Sequence, residues 1–396
     1  PGLRAGETLL AVTTVSFDIA GLELWLPLTV GATVVIASRD EALDSSKLAE
    51  LMEVHQVDVF QATPATWRML ANSEWQGRAS LRGFTGGEPL SRDLAAALLP
   101  KLGQLWNLYG PTETTIYSTG CRIENAEALI TVGRPIANTR CHILDSQLQL
   151  VPVDVAGELY IGGAGVALGY HQRSELTAER FIPDPFGADG KARLYRTGDL
   201  ARWTADGRIE HLGRIDFQVK LRGYRIELGE IEAAIVEHST IAECVVKLAE
   251  RSPGDLRMVA YVVPKPTAFY SSSELRQHLR GLLPNYMVPN SFIELAALPR
   301  LPNGKLNRNA LPNPFEQVSV QAKTLPQTAT EKQVAAIWAE LLKIDSVGVD
   351  DRFFDLGGHS LLAVQTAARL NQHFGIKLEL RFLMMDPLRL VAAELD

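Results

Sequence analysis

The chain has 396 residues and a formal charge of −7, from 39 Lys+Arg against 46 Asp+Glu, with 46% apolar and 21% charged side chains. This composition excludes wholesale disorder, and at roughly 150 residues per domain it predicts two or three domains. The acidic balance argues against a nucleic-acid partner, which needs a basic face to displace counterions.

The longest apolar stretch, residues 24–37, is interrupted by Pro27, Thr29, Gly31 and Thr33. It falls short of the ~18 apolar residues of a membrane span and is expected to be buried core. Cys121, Cys141 and Cys244 lie far apart without a CxxC pair, which fits neither a disulfide framework nor a zinc site and suits a reducing, cytoplasmic setting. The opening PGLRAGETLL has no initiator Met and no basic n-region, so we expect no secretion signal and a start inside a longer polypeptide.

Residues 1 to about 215 alternate strand-like and helix-like runs. ATVVIA (32–37) precedes the helix-period SSKLAELMEVH (45–55), VDVFQA (57–62) precedes ATWRMLAN (65–72), and LWNLYG (105–110) ends at a turn. Strands spaced by helices predict βαβ units and a mostly parallel sheet. From about 139 the texture becomes strand and turn (RCHILD, GELYIGG, LYRTGDLARW, GRIEHLGR), predicting a β-rich subdomain. Residues 216–313 form a second α/β segment, with helices predicted at 228–238 and 272–283 and strands at AECVVKLAE and MVAYVVPK. A Pro-bearing linker (314–326) follows. Residues 327–396 read as a small helical domain whose first helix carries Val334, Ile337, Trp338, Leu341 and Leu342 on one face. Thr328 with Glu331, or Thr330 with Gln333, offers its capping box. A second helix opens at Ser360 and a short one ends the chain.

Four motifs carry candidate chemistry. NLYGPTETT (107–115) sets Glu113 among hydroxyls on a turn after a strand, suited to a Mg²⁺–phosphate site, although taken alone it is an ordinary strand-ending turn. YRTGDLARW (195–203) places Asp199 on a Gly turn, able to accept from a ribose diol or simply to close a β-turn. LPNGKLNRNAL (301–311) carries Lys305 on an Asn-Gly turn, either solvated or delivered to an anion as a point charge. In DDRFFDLGGHSLLA (350–363), Ser360 opens a helix as a cap or as a serine offered for modification, and no GxSxG elbow is present.

The order and spacing of these motifs are far more specific than any one of them. With FDIAGLELWLPL (17–28), GELYIGGAGVALGY (157–170), GRIDFQVKLRGYRIELGEIE (213–232) and LPNP (311–314), they resemble a nonribosomal peptide synthetase adenylation domain of the adenylate-forming superfamily, followed by a peptidyl-carrier domain. The resemblance spans the chain and implies an α/β adenylate-forming fold. That fold has a partial large lobe (1–215) with a parallel sheet and β-rich subdomain, a mobile small α+β lobe (216–313) and a four-helix carrier (327–396). The family's phosphate loop, which precedes FDIA, has no counterpart here, so an N-terminal adenylation half is expected from outside these residues.

By resemblance, the reaction is amino-acid activation with ATP and Mg²⁺, then loading onto 4′-phosphopantetheine on Ser360. Glu113 would hold Mg²⁺, Asp199 the ribose hydroxyls and Arg214 the ribose. Tyr109 would lie against adenine, and Thr112 joins the nucleotide site. Asp216 matches the hinge, Gly223 the pantetheine-tunnel loop, and Lys305 the lysine bridging carboxylate and forming adenylate. The amino-acid pocket maps onto Asp18, Ile19, Leu22, Gln61 and Phe84, and onto Gly86, Leu108, Ile116, Tyr117 and Lys305. Asp18 would pair with the α-ammonium, and the bulky remainder resembles a glycine-selecting pattern, with alanine second. Implied partners are a phosphopantetheinyl transferase and neighbouring condensation, thioesterase or tailoring domains. Two other readings are an acyl-CoA ligase, against which Asp18 and the fused LGGHSL domain argue, and a non-catalytic fragment presenting the carrier.

Overall fold

The computed structural model describes residues 2–187, 192–216, 218–221, 224–251, 256–266, 271–301, 306–315, 324–342, 344, 346–353, 356, 358, 360–376, 378, 383 and 386–396. The chain divides into two compact units, Pro1–Arg225 and Ile226–Asp396.

The first unit opens β1 (Thr8–Ala11), α1 (Ile19–Val30), β2 (Thr33–Ile36), α2 (Arg39–Ala42), α3 (Ser45–Val54), β3 (Val59–Ala62), α4 (Pro64–Ala71), β4 (Arg78–Thr85), α5 (Arg92–Leu98) and β5 (Leu102–Tyr109). It continues with β6 (Thr119–Ile123) and β7 (Arg134–Pro135), and these strands build one sheet in the order β2-β1-β3-β4-β5-β6-β7. The first five run parallel, β6 runs antiparallel to β5 and β7 antiparallel to β6, so the predicted βαβ texture is what forms. After β2 the chain crosses to the other side of β1 to lay down β3. The sheet therefore has a topological switch between β1 and β3, and the crevice outside the carboxyl ends of such strands is where open α/β sheets bind ligands.

The apolar stretch 24–37 departs from expectation. It is the second half of α1 plus β2, and α1 buries Ile19, Ala20, Glu23 and Pro27. Trp25, Leu28 and Ile36 are exposed. A helix apolar around its whole circumference packs only the side that meets the sheet, which leaves the opposite side uncovered.

A second, antiparallel sheet contains β8 (Thr139–Leu144), β9 (Gly157–Gly163), β10 (Phe181–Pro183), β11 (Arg193–Trp203) and β12 (Ile209–Arg214), with α6 (Ser174–Arg180) inserted before β10. This is the predicted β-rich subdomain. Its inner face gathers Cys141, Ile143, Leu159, Ile161, Ala201 and Ile209 around Tyr109. A two-stranded ribbon follows, β13 (Gln218–Leu221) with β14 (Tyr224–Glu227).

The second unit holds α7 (Leu228–Val236), β15 (Ile241–Glu250), β16 (Leu256–Pro264), α8 (Ser272–Leu282) and β17 (Ser291–Glu294). Its three-stranded sheet pairs β15 antiparallel and β17 parallel to β16. Three further helices are described: α9 (Ala329–Leu342), α10 (Ser360–Phe374) and α11 (Leu388–Leu395). The predicted α9 face is the buried one: Val334 and Trp338 are fully enclosed, Ile337 and Leu342 buried, and Leu341 packs against them. Trp338 meets Phe353 edge to face, with centroids 5.2 Å apart. Of the two capping boxes offered by the sequence, Thr328/Glu331 is the one built. Thr328 Oγ1 accepts from Glu331 N (3.1 Å), while Glu331 Oε2 accepts from Thr328 N (3.0 Å) and Gln327 N (2.7 Å).

Candidate active site

Residues expected to line an amino-acid pocket come together at the carboxyl ends of the parallel strands. Ile19, Phe84, Leu108 and Tyr117 are buried in one cluster, with Leu22 and Ile116 packed against it. Six positions from four separate chain segments thus meet on the α1 face of the sheet. Gln61 joins them through register, since it pairs with Phe84 across β3 and β4 and register partners share a face. Asp18 stands at the N-cap position of α1, yet its carboxylate makes no capping hydrogen bond. It is therefore not spent on the helix end, the simpler use that sequence left open.

Gly86 is required by this packing. A Cβ there would lie 2.7 Å from both Cε1 and the hydroxyl of Tyr117, and 2.9 Å from the Leu108 carbonyl oxygen. The carbonyl belongs to a strand and cannot yield, so Tyr117 would have to swing. We expect Gly86→Ala to destabilise the fold by about 1–3 kcal/mol and to weaken amino-acid binding at least about tenfold, with nucleotide binding little changed. Thermal melts and separate KM values for amino acid and ATP check this.

Tyr117 and Ile116 are aimed by a strained turn. After β5, Thr112–Thr114 form one turn of 3-10 helix. Thr115 and Ile116 then adopt φ of 66° and 68°, a left-handed conformation that β-branched residues rarely take. The surroundings over-determine it: Ser118 N donates to Tyr109 O (2.8 Å), Thr115 Oγ1 to Gly165 O (2.7 Å), and the Thr114 and Ser118 hydroxyls bond each other at 2.6 Å. Strain held in this way is characteristic of functional turns.

Glu113 lies buried on that turn, and its Oε1 accepts from the Tyr170 hydroxyl at 2.6 Å. Thr112 beside it is exposed. Burial, then hydrogen bonding to Glu113 and Tyr195, pushes the Tyr170 hydroxyl well above its usual range, so it remains a donor. Among the described residues no group of three or more His, Cys, Asp or Glu forms a cage for a cation. A single carboxylate with a neighbouring hydroxyl instead fits Mg²⁺, which takes one or two protein carboxylates and completes its shell with phosphate oxygens and water.

The residues expected on the nucleotide side form a charge cluster on the β-rich sheet. Asp199 on β11 pairs in register with Arg214 on β12, and Arg214 Nη1 donates to its Oδ1 at 2.9 Å. A register shift between Leu200 and Ala201 makes His211, not Leu212, the partner of Ala201. This bulge puts His211 on the same face as Asp199, with its Nε2 3.4 Å from Oδ1. The Tyr109 hydroxyl donates to Asp199 Oδ2, and Lys220 Nζ lies 5.7 Å from the centre of the Tyr109 ring. Arg214 also grips Asp216 with two bonds, 2.6 and 2.7 Å. Burial favours a raised Asp199 pKa, but His211, Arg214 and Tyr109 outweigh it and hold the carboxyl below its usual range. Asp199 is therefore a preorganised anion: Oδ1 is engaged by Arg214 and His211, and Oδ2, which accepts from Tyr109, retains a lone pair.

Lys305 and Gly223 lie outside the described residues, and Ser360 is described only as the first residue of α10. Three residues that contribute to these clusters were not singled out from sequence. Tyr170 closes GELYIGGAGVALGY, His211 sits in GRIEHLGR, and Glu23 lies within the apolar run of α1. Glu23 is fully buried, and burial raises its carboxyl above the usual range against the lowering effect of Thr13, Val12 and Gln61.

Comparison with known proteins agrees with this layout. The AMP-binding enzyme family matches residues 1–171, its C-terminal domain family residues 230–305, and the phosphopantetheine attachment site family residues 332–387. The dimodular nonribosomal peptide synthase of Bacillus subtilis (strain 168) is 46% identical over 98% of the chain. Phosphinothricin tripeptide synthetase of Streptomyces viridochromogenes is 44% identical over 98% of it. The chain spans only 16% and 34% of these two relatives. Among solved structures, a holo nonribosomal peptide synthetase protein with adenylation and carrier domains, bound to a vinylsulfonamide inhibitor, matches 99% of the chain and 66% of its own length, at 31% identity and a TM-score of 0.79. A four-domain nonribosomal peptide synthetase bound to AMP and glycine matches 99% of the chain and 29% of its own length, at 42% identity and a TM-score of 0.53. The chain belongs to the AMP-binding (adenylate-forming) family and joins nonribosomal peptide synthetase adenylation sequence to a carrier domain of the phosphopantetheine attachment site family.

Proposed function

We propose that this chain is the part of a synthetase module that activates glycine, with alanine second, as aminoacyl-AMP and loads it as a thioester on 4′-phosphopantetheine at Ser360. One observation carries the reading. Ile19, Leu22, Phe84, Leu108, Ile116 and Tyr117, distant in sequence, pack together at the carboxyl end of the sheet, directly after an Asp18 that caps nothing. A small apolar site beside a free carboxylate suits an α-amino acid with little or no side chain. The four-domain relative bound to AMP and glycine supports the same choice.

In this reading Asp18 pairs with the α-ammonium, Glu113 holds Mg²⁺, and Thr112, Asp199, Arg214 and Tyr109 seat the nucleotide. Bound Mg²⁺ supplies charge neutralisation on the phosphates. Lys305 contributes the second cation at the reacting oxygens, and Gly223 borders the path of the pantetheine arm. We divide the chain into core lobe 1–215, mobile lobe 216–313 hinged at Asp216, linker 314–326 and carrier 327–396. Its partners are an N-terminal adenylation half, a phosphopantetheinyl transferase and adjoining synthetase domains. No described helix is long and apolar enough to cross a membrane.

The carrier assignment is tested by mass. A phosphopantetheinyl transferase with CoA should add one phosphopantetheine, and Ser360→Ala should abolish the addition. Modification surviving in that variant removes the assignment. Glycine-dependent ATP–pyrophosphate exchange by the full-length synthetase tests the activation step.

A further inference from the structure

Glu23 is a fully buried carboxylate that accepts four hydrogen bonds. They come from the backbone N–H of Val12 and of Thr13 (both 2.9 Å), the Thr13 hydroxyl (2.6 Å) and the Gln61 side-chain amide (3.0 Å). Val12 and Thr13 begin the loop that leaves β1 and ends at Asp18, while Gln61 belongs to β3. One side chain on α1 therefore ties the loop that leaves β1 to β3, at the switch-point crevice where the proposed amino-acid pocket lies.

The chemistry of this contact fixes an orientation. A carboxylate only accepts, so Gln61 must turn its NH₂ toward Glu23 and its carbonyl oxygen away. That oxygen is buried and has no hydrogen-bond partner. The Tyr117 hydroxyl is likewise buried and unpartnered, and it packs with Phe84, the register partner of Gln61. Two polar atoms without partners thus border the apolar cluster. Both atoms are closed off before any ligand arrives, so an apolar substituent that crowds them holds them where they cannot turn to a partner.

We propose that Glu23 is a positioning residue for amino-acid selection: it locks the Gln61 amide so that its carbonyl oxygen, with the Tyr117 hydroxyl, forms a polar wall that rejects the next larger apolar side chain. The inference rests on the amino-acid-activation reading above.

The experiment uses the full-length synthetase and amino-acid-dependent ATP–pyrophosphate exchange. It compares kcat/KM for the best amino acid with that for its homologue one methylene larger. Glu23→Gln can donate as well as accept, so both orientations of the Gln61 amide become available. The preference should fall by about tenfold, through the KM for amino acid, with the KM for ATP unchanged. Gln61→Met, which removes the oxygen and keeps the volume, should give a similar fall. The double variant should lose no more than either single one, because both act through the same group.

An unchanged preference in folded Glu23→Gln overturns the inference, as does a double variant whose loss is the product of the single losses. If Glu23→Gln does not fold, Gln61→Met decides, and a preserved preference there overturns it equally. A wild-type synthetase with no amino-acid-dependent exchange removes the activation reading and this inference with it. Exchange with an unmoved preference removes the inference alone.

Discussion

Replacing Lys305 by Ala in the full-length synthetase should cut aminoacyl-adenylate formation by about 10²–10³-fold, the loss seen when one preorganised charge stabiliser is removed. As the amino-acid carboxylate attacks the α-phosphate, negative charge gathers between two groups that are already anionic. In the proposed function Glu113 would hold the cation that answers the phosphate side, and the ammonium of Lys305 would supply positive charge at the attacking carboxylate. A lysine suits the task because its long stem would let the lobe proposed to be mobile deliver and withdraw a compact charge. Withdrawal gives the second half of the expectation. Supplied with pre-formed aminoacyl-adenylate, the same variant should load the Ser360 pantetheine at a near-normal rate. Single-turnover measurement of each half-reaction separates the steps. Equal loss in both would mean that Lys305 stays at the site throughout, and the alternation about Asp216 would have to be abandoned.

The parts of this molecule legible in its sequence are those where local pattern and final packing agree. Val334, Ile337 and Trp338 recur at helical spacing and are enclosed, and the Thr328/Glu331 box starts the helix that carries them. Short apolar runs separated by helical periods became a parallel sheet. The residues that escaped notice act through tertiary geometry. His211 reaches Asp199 only because one residue bulges out of the β11–β12 ladder, and no residue type in GRIEHLGR announces that bulge. Thr115 and Ile116 hold a conformation their branched side chains disfavour, so propensity argues against the turn that aims Tyr117. Glu23 reads as a lone polar break in an apolar helix until β1, α1 and β3 are brought together. Conversely, Trp25 and Leu28 look like core by composition and are exposed. Periodicity reports how an element could be buried; which sides find a neighbour is a property of the fold.

Asp18→Ala should fail differently from Lys305→Ala. The α-ammonium of the amino acid is present in the free substrate, in the adenylate and during transfer to the thiol, so its counter-ion is needed throughout. Truncating one partner of a desolvated charge pair removes about 2–5 kcal/mol, mainly because the other charge is left buried and alone. We therefore expect amino-acid binding and adenylate retention to weaken together, by about 10²-fold or more, with loading from supplied adenylate also reduced. Asp18→Asn should recover little, since an amide offers a dipole where a full charge is required. The fold should be nearly unaffected, because the Asp18 carboxylate makes no capping hydrogen bond to α1 and its removal leaves no backbone donor newly unpaired. That expectation separates the two uses of an aspartate at a helix start. A capping aspartate replaced by Ala costs about 0.5–2 kcal/mol of stability with chemistry intact, whereas a substrate-pairing one costs chemistry with stability intact. Thermal melts beside single-turnover rates distinguish the outcomes. A destabilised variant with normal amino-acid affinity would make Asp18 a helix cap and leave the ammonium without its proposed partner.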